Sequence, residues 1–325
     1  MPFTMADLDF RISLPDLPST LPVAILPAPC LSRHSEIAQE LGTALGLDLR
    51  GTAEVPHGYV VGGRRGQVEV FAASGAVRAR NAEQLSRFTD ERRPWADLRR
   101  EETADGVVYR LGEDTENRLA SDALRLLASA GLADDHASLR VSLGQWAMLE
   151  ESGKELESGP GRATVQLGYA VEGIKLIGPG AKTNVHCDPD DSGQGGVVAR
   201  LFHVNRGFDG SRDVPRLDLE RAFQPLLTQT WSGRELDPGS ARMAITAIDY
   251  GLLTLPADVL QRFAAPALAV QGRITGVDGG DSREVELRFA QYLPLADADA
   301  LAEAGFASAS RLIPGSVVKR QSKGE

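Results

Sequence analysis

Two cysteines in 325 residues, Cys30 and Cys187, are too few for a disulfide framework, and neither stands in a CxxC spacing. Reduced thiols and a cytoplasmic location are the expectation. Long apolar runs are missing as well: the best stretches, 244–248 and 251–255, fall far short of the roughly 18 residues that a membrane span requires. An export signal is not visible either, because Asp7, Asp9, Arg11 and Asp16 interrupt the first apolar residues. Positive charge is in deficit, with 35 Lys and Arg against 45 Asp and Glu and a net charge of −10. That is the wrong sign for a phosphate backbone or an anionic lipid surface, so nucleic acid and membrane are not expected partners. Hydrolase motifs are absent: there is no Gly-x-Ser-x-Gly elbow, no His-Glu-x-x-His, and no local nucleophile signature at either cysteine.

What is present describes an ordinary globular chain. Hydrophobic residues make up 42%, charged residues 25% and aromatics 6%, which excludes wholesale disorder and fibrous repeats. At this length a single core begins to divide, so one large or two moderate domains are expected. Pro15, Pro18, Pro22, Pro27 and Pro29 make 11–30 an extended arm. Ile37, Leu41 and Leu45 recur at four residues and predict a helix from Ser35, closed by Gly46. A hairpin is predicted from 59–63 and 67–71 around Arg64-Arg65-Gly66, with another short strand at Val77. Residues 81–106 read as a polar stretch. Asp114 or Thr115 then caps a helix whose inner face is Leu119, Ala123, Leu126, Leu127 and Ala130, ended by Gly131.

Strands follow at 138–149 and 163–177, separated by an exposed loop at 151–161. Further helices are expected over 217–227, disturbed by Pro225, and from Pro256 around Val259, Leu260 and Phe263. The clearest hairpin alternates over 265–276 and 283–292 around Asp278-Gly279-Gly280. These patterns predict an α+β protein of two helix-on-antiparallel-sheet lobes, 1–135 and 136–325. The similar strings Tyr169-Ala170-Val171-Glu172-Gly173 and Leu268-Ala269-Val270-Gln271-Gly272 raise a degenerate duplication.

Three strings invite chemistry. Gly178-Pro179-Gly180-Ala181-Lys182-Thr183 has the Lys-Thr of a phosphate loop but not its glycines, and it runs into a strand rather than a helix. A structural turn is expected there. His186-x-Asp188 has the spacing of part of a non-haem iron site. A hairpin centred near Ser192 sets His186 opposite a residue near Val198, however, and so carries His203 about five residues, or roughly 17 Å, away. No metal or other cofactor is expected. Asp188-Pro189-Asp190-Asp191 lacks the calcium-loop pattern and reads as an acidic hairpin tip. The arginines at 64–65, 92–93 and 99–100 are interleaved with acids and read as solvated faces.

Val171-Glu172-Gly173-Ile174-Lys175-Leu176-Ile177-Gly178, then Val185, an acidic-glycine turn and Val197-Val198, resemble the strand–turn–strand core of PepSY-type and related peptidase-propeptide domains. The resemblance covers 163–206, with an echo at 265–292. It implies a helix packed on a curved antiparallel sheet, and a role in binding or inhibiting partners.

The reading that follows is a soluble protein that binds a small molecule or a protein or peptide partner. The alternative is a cofactor-independent enzyme of cyclase, isomerase or lyase type, with a shaped apolar pocket. Asn184, His186 and Asp188 project from one face of a strand and are the candidate catalytic residues. In that scheme Asn184 orients a carbonyl, His186 moves a proton and Asp188 holds the imidazole tautomer.

Overall fold

The computed structural model describes residues 3–91, 93–103, 106–132, 134–153, 155–228, 241–277, 284–306 and 317–321. The first half runs β1 (Leu8–Phe10), β2 (Thr20–Ile25), α1 (Leu31–Ala44), β3 (Leu49–Val55), β4 (Gly58–Gly63), β5 (Gly66–Phe71), β6 (Val77–Asn81), α2 (Ala82–Glu91), β7 (Leu98–Thr103), β8 (Gly106–Leu111) and α3 (Glu113–Ser129). The second runs β9 (Ser138–Leu149), β10 (Glu155–Gly168), β11 (Ala170–Val171), β12 (Ile174–Ile177), β13 (Lys182–Pro189), β14 (Gly196–Val204), β15 (Gly210–Pro215) and α4 (Leu219–Thr228). It ends with β16 (Arg242–Leu253), β17 (Phe263–Val277), β18 (Glu284–Pro294), α5 (Ala298–Glu303) and β19 (Val317–Gln321). About half of the protein is strand and a fifth is helix, so the α+β class holds at the coarse level with sheet predominating.

One sheet has eight strands in the order β3-β4-β5-β6-β14-β13-β10-β9. The hydrogen-bonded ladder between β6 and β14 joins Val77–Arg80 to 200–203, so the expected division at 135/136 passes through one continuous sheet. A nine-stranded sheet is built around β16, β17 and β18 and includes β1, β2 and β15. The arm therefore contributes strands: β1 runs parallel to β16, and β2 lies between β15 and the start of β17.

The eight-stranded sheet is amphipathic because its central strands β10, β13 and β14 alternate over most of their length. Val68, Val70, Val77, Ala79, Val165, Val185 and Leu201 face inward, and α1 and α3 cover them with Ile37, Leu41, Leu119, Ala123 and Leu127. Each such fully buried aliphatic side chain contributes roughly 1.5–3 kcal/mol of transfer free energy. The other face carries the polar members of the same alternation. The second sheet buries Met243, Ile245, Leu268, Val270, Leu287 and Phe289, with Leu8 of β1, against α4.

Several expectations need correction. The "polar stretch" contains α2 and β7, and the "loop" at 151–161 is largely the first half of the long strand β10. No helix forms after Pro256: residues 257–259 make turns and Phe263 begins β17. The N-cap of α3 is Gly112, one residue before Glu113, and no side chain caps it. Of the two similar strings, 170–173 turns the β11–β12 hairpin while 269–272 lies inside β17, so they occupy different local structures. The turn Asp278-Gly279-Gly280 and Arg92 lie outside the described residues.

Candidate functional site

Asn184, His186 and Asp188 do share one face of β13, opposite to Thr183, Val185 and Cys187, which are buried against the helices. The register around them differs from the expected one. β14 carries a bulge between His186 and Cys187, at Ala199, which sets Arg200 opposite His186. His203 is therefore three residues from that pairing, about 10 Å along the strand. It pairs with Thr183 on the inward face, so the two histidines lie on opposite sides of the sheet.

Cross-strand register assembles the open face row by row. One row runs Gln67, Arg80, Arg200, His186, Thr164 and Ser142; the next runs Glu69, Arg78, Phe202, Asn184, Gln166 and Arg140. Neighbouring strands lie about 4.8 Å apart, so six residues span roughly 24 Å. Arg162, one strand over from Asp188, extends the face toward α2, where its guanidinium also reaches the Leu85 carbonyl at 3.5 Å.

Two acids on this face are already used. Asp188, buried, accepts from Arg162 Nε at 2.6 Å and from its Nη2 at 3.4 Å. Burial nevertheless lifts its pKa above the usual carboxylate range, against the pull of Arg162 and Arg200. Glu69 is buried between His57 and Arg78 and bonded to both. Burial pushes its pKa upward, but those two partners outweigh it and the net shift is downward. His57 also stacks on Phe71, over which the Arg78 guanidinium lies 5.3 Å from the ring centre.

The remaining arginines have no such partner. Arg80, Arg140 and Arg200 form no ion pair among the described residues, and Arg80 stands directly opposite Arg200. Like charges directly opposed on adjacent strands destabilise a sheet. The pKa of Arg200 is lowered by partial burial and by the charges of Arg162 and Arg80, with only Asp188 opposing. His186 sits beside this cluster, half-buried, its Nδ1 sharing a 2.9 Å hydrogen bond with Thr164 Oγ1. Burial, Arg200 and Arg162 all favour its neutral form. Thr164, not Asp188, therefore holds the imidazole, because Asp188 is engaged by Arg162. Asn184 Oδ1 is buried with no donor among the described residues.

A second polar cluster lies in the core, on the inward face. Tyr169 OH, Thr183 Oγ1 and His203 Nδ1 form a chain with links of 2.6 and 2.7 Å. Burial drives His203 down to about 4, with Asp134 opposing and His34 assisting, and drives the Tyr169 hydroxyl up to about 12. Thr183 has no solvent exposure, so this network serves the core.

The sequence signal for His186 was alternation along one strand. The arginines come from four other strands and become neighbours only once register is known. Among the described residues no group of three His, Cys, Asp or Glu side chains is arranged to hold a metal ion. No helix among them is long and apolar enough to cross a membrane.

No family model matches the chain, and no curated protein matches it. A solved structure of an uncharacterized protein from Eubacterium rectale ATCC 33656 is similar over 84% of this chain and 83% of that chain. The identity is 7% and the TM-score 0.44.

Proposed function

We propose that the protein binds a small ligand carrying two or more negative charges, phosphoryl or carboxylate, on the open face of the eight-stranded sheet. The observation that carries this reading is the opposed pair Arg80 and Arg200, neither in an ion pair among the described residues, with His186 beside Arg200 on the next strand. A protein of net charge −10 that concentrates unpaired arginines on one face offers a local attraction without a long-range one. Such a field favours a compact anion over a polyanion, which the rest of the surface repels. Guanidinium groups grip phosphoryl and carboxylate oxygens bidentately.

Isothermal titration with pyrophosphate and citrate tests the proposal. Binding should weaken about 10- to 100-fold in Arg200→Gln, the equivalent of losing one or two charge-assisted hydrogen bonds, and should fall as salt rises. Arg99→Gln, in the β7–β8 ribbon, should change nothing. Absence of binding by either probe, or equal affinity in Arg200→Gln, rejects the reading.

An enzymatic second reading rests on His186 alone. A neutral imidazole anchored at Nδ1 beside an anion site is placed to move a proton at Nε2. In that case the parent turns over a bound anion and His186→Gln keeps ligand affinity but loses turnover, whereas a binding protein shows no turnover in either form.

A further inference from the structure

A cavity of about 300 Å³ lies in the other sheet, between α4, the start of β17 and the end of β18. Its walls are small and stiff: Pro225, Pro266 and Pro294 cannot donate backbone hydrogen bonds, and Leu253 and Leu301 close the base. Pro225 stands inside α4, so the Arg221 carbonyl one turn earlier loses its helical donor. Two charged side chains reach the cavity, Arg221 and Asp297. Asp297 is occupied as the N-cap of α5, accepting from Ala300 N at 2.7 Å. Arg221 forms no ion pair among the described residues and is exposed at the mouth.

We propose that this cavity is a binding site for a medium-chain amphipathic carboxylate, its alkyl chain among the prolines and leucines and its head on Arg221. Two observations select that class. The apolar walls with one unpaired cation at the mouth complement a molecule with one apolar and one anionic end. A volume of about 300 Å³ stands at the small end of ligand pockets, which suits a short or medium alkyl chain rather than a long one. The site is separate from the arginine face and does not depend on it.

Titration of the full chain with octanoate, octanol and butyrate tests the proposal. Octanoate should bind measurably, and more tightly than octanol or butyrate. Arg221→Gln should lower octanoate affinity at least tenfold and leave octanol unchanged. Ala298→Trp, at the exposed rim, should weaken both while the circular dichroism spectrum stays native. Arg200→Gln should leave octanoate binding intact, which separates failure at one site from failure at the other. No octanoate binding, equal affinity for octanol, or full octanoate affinity in Arg221→Gln overturns the proposal.

Discussion

Arg80 and Arg200 face each other across adjacent strands with no acid between them, and this opposition makes a stability prediction distinct from the binding one. Replacing either by Gln should stabilise the unliganded protein by about 0.2–1 kcal/mol in urea unfolding, because a like-charge cross-strand pair is relieved. A loss of stability instead would mean that these arginines serve the fold. His203 gives a pH prediction. Its folded pKa of about 4 lies below its ordinary 6.5, so folding favours the neutral ring. The stability this supplies is complete above pH 6.5 and is lost as pH falls from 6.5 to 4, about 3 kcal/mol in all. His34 and His186 shift in the same direction. Unfolding free energies at pH 7 and 4.5 should therefore converge in His203→Gln relative to the parent without becoming equal; an unchanged slope would refute the assignment. At this scale the sequence was legible only along a strand: alternation placed Asn184, His186 and Asp188 together, while Arg162 and Thr164, which hold two of them, needed the β10–β13 register.

At the scale of elements, the Gly178-Pro179-Gly180 turn shows what the glycines near Lys182 are for. A Cβ at Gly180 would lie 1.8 Å from the Leu255 carbonyl oxygen, and one at Gly178, at φ +98, 2.4 Å from Thr254 O. The turn crosses the segment after β16 at backbone contact, and Thr254 Oγ1 bonds Ile177 O there at 2.8 Å. Gly180→Ala should cost about 2–4 kcal/mol, measured by chemical unfolding, since backbone must move on one side or the other. Local patterns identified α1, the β4–β5 hairpin, α3 and the β17–β18 pair because each has a strong period and short-range partners. They missed α2, whose polar composition hides its helical period, and they missed the start of β10, where Gly159, Pro160 and Gly161 look like loop residues. In β10 the pairing with β9 overrides local preference, with a register irregularity between Pro160 and Ala163 to accommodate it.

For the whole molecule, the decisive feature is that pairing ignores sequence distance. Arg206, almost fully buried, bonds the Leu255 and Pro256 carbonyls at 3.1 and 2.7 Å and the Ala73 carbonyl at 3.4 Å. It pins the β5–β6 turn to the segment that follows β16. Arg206→Leu should lower unfolding free energy by about 2–4 kcal/mol, as buried carbonyls lose a charged donor. A surface-like change below about 0.5 kcal/mol would show that the pin is dispensable. A boundary at residue 135 follows from α3 ending shortly before it, at Ser129, with strands after it, yet nothing local reveals that β6 waits for β14. The same holds more strongly for β1, whose Leu8 pairs with Met243. On a ribosome adding about 5–20 residues per second, Leu8 emerges some 12–47 s before its partner is made. Until then β1 must stay unpaired, and charges such as those at 7, 9 and 16 are of the kind that disfavour association of an unpaired segment with other chains.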